Sequence, residues 1–105
     1  MSESLSSPIP YEVICSEKVR QELLSFSEKA QEQGLGPEYL AGLQEFERRL
    51  RIYPQFGDPL TDLNLKPAQL CIGVVWPLIL RYSLDEARRL VMVVAPFLLL
   101  PRRSG

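Results

Sequence analysis

The chain has 105 residues, 46% of them hydrophobic and 24% charged, with a formal net charge of −1 and no histidine. These proportions fit one globular domain around one core and lack the strongly basic balance of most nucleic-acid binders. Without histidine the usual zinc-ligand sets cannot be assembled, so neither a metal nor a cofactor is expected.

The near-zero net charge hides an asymmetry. Residues 1–47 hold nine acidic and three basic side chains, whereas residues 48–105 hold four acidic and nine basic. Two readings follow: a basic face offered to nucleic acid or an acidic partner, or acidic helices and a basic sheet edge that only solvate the fold. The second carries more weight for so nearly neutral a chain.

In chain order, residues 1–10, "MSESLSSPIP", have neither the basic nor the apolar region of a secretory signal and read as a polar lead-in, with a cytoplasmic location expected. A single domain is expected over residues 11–101, followed by a basic tail at 102–105. "YEVICS", Tyr11 to Ser16, alternates with Val13 and Cys15 on one side, the period of a short strand. Ser16 stands as N-cap to a helix whose Val19, Leu23, Phe26 and Ala30 fall on one face and which Gly34 stops. Pro37 and Glu38 suit the first turn of a second helix, where Tyr39, Leu43, Phe46 and Leu50 form an apolar stripe down to about Arg51. Two such stripes pair as an antiparallel hairpin. Arg48, Arg49 and Arg51 then belong to the solvated face and the C-terminal charge of that helix.

Tyr53-Pro54 ends the helix, and Pro54, Gly57, Pro59 and Pro67 make the following stretch a connector without long regular elements, tacked down by Leu60, Leu63 and Leu65. From Gln69 the pattern turns to β in three runs, "QLCIGVVW", "LILRYSL" and "RRLVMVVAPFLLL", divided by Pro77 and by the polar turn Asp85-Glu86-Ala87-Arg88. The last run is too short for a membrane-crossing helix, which needs about 20 apolar residues, and is broken by Pro96. It reads as a buried central strand, with both faces at least partly covered, that ends or bulges at Pro96, so that Phe97 to Leu100 leave the sheet or pair elsewhere. Cys15 and Cys71 sit in apolar runs and read as packed thiols.

The expected fold is therefore α+β: an N-terminal strand, a helical hairpin and a three-stranded antiparallel meander, forming one sheet packed by two helices. At this point the sequence resembles the RelE/ParE superfamily of bacterial toxins of type II toxin-antitoxin systems. "ERRLRIYPQFGDPLTDL" is similar to the family's helix-ending stretch of Leu, Pro, Gly and Leu, and "LILRYSLDEARRLVMVVAPF" to its hairpin around an Asp-Glu turn. The resemblance covers residues 11 to 98 and implies an antitoxin protein as partner. It further implies either cleavage of ribosome-bound messenger RNA, as in RelE-type members, or a topoisomerase-type target, as in ParE-type members.

Cleavage by the 2′-hydroxyl needs charge stabilisation and proton transfer, which RelE-type members supply with lysines, arginines and a C-terminal tyrosine. Where such members place lysines, this chain has Leu70, Cys71, Ile72, Gly73, Val74 and Val75, and at the next strand's usual arginine it has Ile79, with Arg81 two places on. After the final strand come "APFLLLP" and then Arg102 and Arg103. A weak endoribonuclease would rest on Arg81, Tyr82, Arg102 and Arg103, with Lys66 in support. Tyr82 also reads as a packing residue with a solvated hydroxyl. The chemistry thus favours a toxin-like module that binds a protein, ribosome or topoisomerase-type target, or a non-enzymatic interaction or self-associating protein of the same fold, including a homodimer. Binding would use Lys66, Arg81, Phe97, Leu99, Leu100, Arg102 and Arg103. The apolar Phe97 to Leu100 either meets a partner or folds back over the chain's own core.

Overall fold

A computed structural model of the chain describes residues 9–60 and 68–99. Leu63, Leu65, Lys66, Leu100, Arg102 and Arg103 lie outside the described residues.

The alternation after Tyr11 folds as β1 (Glu12–Cys15). The Ser16 hydroxyl accepts a hydrogen bond from the Val19 backbone N–H at 3.1 Å, which satisfies one of the free donors at the start of α1 (Glu17–Glu32). Gly34 ends the turn with φ +76°, a conformation in which glycine meets no Cβ penalty, and the Leu35 N–H closes back on the Ala30 carbonyl. α2 (Gly36–Ile52) has Pro37 in its first turn and buries Tyr39, Phe46 and Leu50, with Leu43 half-buried. Its arginines are held along the helix: Glu45 pairs with Arg48 and Arg49, each at 2.6 Å, and Glu47 with Arg51 at 3.1 Å. Hydrogen bonds from Arg48 and Arg49 pull the pKa of the Glu45 carboxyl down to about 2.

Beyond α2 the chain makes one 3-10 turn, Pro54–Phe56, and then a feature the sequence does not announce, the two-residue strand β2 (Asp58–Pro59). It pairs antiparallel with β3 (Gln69–Val75), so the sheet has five strands and not the four expected. A proline is tolerated here because β2 is an edge strand, where a missing N–H removes no ladder bond on the outer side. β3, β4 (Leu78–Asp85) and β5 (Leu90–Leu98) form the antiparallel meander. Trp76 and Pro77, joined by a cis peptide bond, make the first turn; in the second, the Asp85 carboxylate accepts from the Arg88 N–H at 3.1 Å.

The strand order is β1-β5-β4-β3-β2, with β1 parallel to β5 in the register Val13 to Val91 and Cys15 to Val93. The helical hairpin is the crossover that a parallel pair requires. Pro96 does not end the ladder: it stands opposite Leu80, with Phe97 opposite Ile79 and Leu98 opposite Leu78. The reason is a bulge one step earlier, where Val93 pairs with Tyr82 and Ala95 with Arg81, leaving Val94 as the extra residue. Past Val93 the β1 side of β5 is unpaired, which is where a proline costs the ladder least.

Helices and sheet meet in one core. Phe46 from α2, Phe56 from the 3-10 turn and Tyr82 from β4 pack in a row, with ring centroids 5.7 and 6.3 Å apart. The Tyr82 hydroxyl donates to the Pro54 carbonyl, and a Cβ at Gly57 would run into that hydroxyl and stand 2.9 Å from the Ile72 carbonyl oxygen. Glycine at 57 is what lets the connector lie against β3 and β4. No helix of the described residues is long and apolar enough to cross a membrane.

Phe46 is 1% exposed, so Phe46→Ala should cost about 3–5 kcal/mol in urea unfolding, against about 1 kcal/mol for Ser16→Ala. Burial pushes the Tyr39 hydroxyl, which donates to the Leu23 carbonyl, up to about 12 from its ordinary value of 10.0. Because the folded value is raised, this contribution to stability is complete below pH 10.0 and is lost as pH rises through about 12. Alkaline unfolding followed by circular dichroism should therefore be less steep in Tyr39→Phe.

Candidate functional site

The pleat sends alternate side chains of each strand to opposite faces, and both helices lie on the same face. From β4, Leu78, Leu80, Tyr82 and Leu84 point to the helices and are buried. Ile79, Arg81, Ser83 and Asp85 therefore belong to the other face. Cross-strand register extends that face: Val74 lies opposite Ile79, Ile72 opposite Arg81 and Leu70 opposite Ser83. On the other side, Phe97 lies opposite Ile79, Ala95 opposite Arg81 and Met92 opposite Ser83, with Ile14 of β1 next to Met92.

The result is a sheet face of mostly apolar side chains that neither helix covers. Val74 is 54% exposed, Met92 44% and Phe97 43%. β4, not β5, is the middle strand: β5 lies second in the sheet, between β1 and β4 only over residues 90–93, and the described helices shield one of its faces where its apolar composition implies cover on both. Leu70 is buried on this open face, while the chain's main core cluster forms on the other.

Arg81 stands in the middle of this surface, on the third strand of five. Its Nε is buried and has no hydrogen-bond partner, and among the described residues no carboxylate pairs with its guanidinium. The other described arginines of the second half are engaged elsewhere. Arg49 lies over the Phe56 ring at 5.2 Å, Arg88 approaches Asp85 at 3.8 Å, and Arg89 lies over the Tyr11 ring at 5.1 Å and donates to the Ile9 carbonyl. The positive charge of residues 48–105 is thus dispersed over a helix, a strand and a turn among the described residues, not gathered into one patch.

Of the residues singled out from sequence, Arg81 and Phe97 share the open face. Tyr82 does not join them: it points into the core, its hydroxyl is engaged and not solvated, and burial raises its pKa above the ordinary value. Arg81 and Tyr82 are adjacent in sequence and on opposite sides of the sheet, so they cannot converge on one phosphodiester. Leu99 is exposed just past β5, its N–H bonded to the Pro77 carbonyl at 2.7 Å. Both cysteines are free thiols, and burial pushes the Cys71 thiol up. Val74, Ile79 and Met92 were not singled out from sequence; the signal that finds them is the alternation through Arg81 once the helices are known to cover one face.

A concavity of about 690 Å³ lies between the helices, lined by Leu23 and Leu24 of α1 and Leu40 and Leu43 of α2, with Arg20 among its lining residues. It is apolar and open to solvent, and no titratable side chain besides Arg20 and Tyr39 lines it.

No protein-family model, curated protein or solved structure matches the chain.

Because Leu99 is exposed and Leu98 packs against the core, Leu99→Asp should leave the melting temperature nearly unchanged and Leu98→Asp should lower it clearly. Thermal unfolding of the two variants measures the difference.

Proposed function

We propose that this chain is a RelE/ParE-like module of a bacterial toxin-antitoxin type system that acts by binding a macromolecular target and not as a nuclease. The observation that carries the reading is the open sheet face, which offers apolar side chains around Arg81, its one cation among the described residues. Exposed apolar surface with a few placed polar groups is the composition of a protein-binding patch, whereas phosphodiester cleavage requires several charge-stabilising and proton-transferring groups at one place. The order strand, helical hairpin, antiparallel meander supports the family part of the reading. An antitoxin protein is the partner that this reading implies, and a topoisomerase-type or ribosomal protein is its target.

A second reading, a self-associating interaction protein of the same fold, is favoured by one observation: Met92 and Phe97 leave apolar area exposed along β5.

Induction of the protein in bacteria, beside Arg81→Ala and a truncation after Leu100, tests these readings. The expected outcome is growth arrest with messenger RNA left intact, as mapped by primer extension. Cleaved messenger RNA that becomes intact in Arg81→Ala would overturn the binding reading in favour of a nuclease. Unchanged growth with folded, well-expressed protein would remove the toxin reading and leave the interaction protein.

A further inference from the structure

We propose that the open sheet face docks a protein segment carrying one carboxylate among apolar side chains, and that this carboxylate pairs with the Arg81 guanidinium; the inference rests on that face being the binding surface argued above. Arg81 lies between Ile72 of β3 and Ala95 of β5, with Ile79 two residues before it on the same strand face. Its buried Nε without a partner is costly in the free protein, since a desolvated donor forfeits its bond to water and gains none in exchange. A carboxylate is the group that a guanidinium's planar fork recognises best, through charge-assisted hydrogen bonds. Around it, Val74, Met92 and Phe97 offer exposed apolar area that matches apolar side chains flanking the acid.

Charge separates this occupant from the alternatives. A nucleic acid presents a phosphate at every nucleotide and is held by several cations, and Arg81 is the one cation on this face among the described residues. Glu12, paired with Leu90, and Asp58, paired with Ile72, add exposed negative charge to the two ends of the same surface and oppose a polyanion. A second copy of the chain fits no better. A two-fold face-to-face pairing would set Arg81 near Arg81 at its centre, where like charges in a desolvated contact repel.

The test immobilises the full chain and selects binders from a display library of random peptides, then titrates synthetic copies of the selected peptides in solution. The expected peptides carry one Asp or Glu flanked by apolar residues, and Arg81→Leu should weaken them by about tenfold or more. Replacing the peptide acid with its amide should cost the same factor against the native protein and almost nothing against Arg81→Leu, the non-additivity of a direct pair. Arg81→Leu should also melt no lower than the native protein, because it removes an unpartnered buried donor; a clear drop would mark Arg81 as structural and overturn the inference. Selected peptides that lose binding in Met92→Asp but not in Arg81→Leu would overturn the Arg81 pairing while leaving the face as the binding surface. Peptides indifferent to both changes, or no selected peptide at all, would overturn the face as a peptide-docking surface. Tight, salt-sensitive binding of polyuridylate lost in Arg81→Leu, or concentration-dependent dimerisation lost in Met92→Asp, would replace the proposed occupant with RNA or with a second copy.

Discussion

The pleat of β4 divides two neighbouring residues between two environments, and the rest of the molecule follows from that division. Tyr82 goes to the helices, where its ring closes the row begun by Phe46 and Phe56 and its hydroxyl ties the connector through Pro54. Arg81 goes to the other side. A slip of one residue in this strand would bury a guanidinium in the core and expose a tyrosine, so the register is strongly specified. The bulge at Val94 keeps the partner strand in phase: it absorbs one residue so that Leu98 can still pack on the core side opposite Leu78.

The same division explains how a short chain builds a core with helices on one side only. Four helix-facing residues of β4, two valines of β5 and the buried face of α2 converge on that side, and α1 closes it with Val19 and Ala30. Among the described residues little apolar material is left to cover the second face, where Val74, Met92 and Phe97 stay about half-exposed. Isolated exposed leucines or valines on a protein are ordinary; a contiguous row across neighbouring strands, from Val74 through Ile79 to Phe97, is not.

The parts of this arrangement that were legible in the sequence are those governed by local rules. Ser16 and Gly34 bound α1 because capping and positive φ are local requirements, and the stripe from Tyr39 to Leu50 follows from helical period alone. The meander was legible because its turns carry Pro77 and the Asp85 loop. β2 was hidden since two residues, one of them proline, make no pattern, and their pairing is decided by Ile72 and Cys71 across the sheet. Pro96 was misjudged for a related reason: its cost depends on whether a neighbouring strand needs its N–H, and β1 ends at Cys15, short of it. The open face was half legible. Period-two alternation along β4 sets Arg81 opposite Leu80 and Tyr82, but only the position of both helices on one side shows that its apolar neighbours stay uncovered by them.

The charge asymmetry of the chain finds a similar resolution. Glu45 and Glu47 of α2 are neutralised by the arginines that follow them in the same helix, and the turn arginines are held by Asp85, Tyr11 and a backbone carbonyl. A basic second half is therefore not a basic surface over the described residues. What remains is one guanidinium among apolar side chains, and a group in that setting contributes discrimination more than raw affinity. An apolar face alone would accept many segments of suitable shape, including another copy of itself. A cation at its centre, with no carboxylate partner among the described residues and a buried Nε left unbonded, penalises each of them that brings no acid.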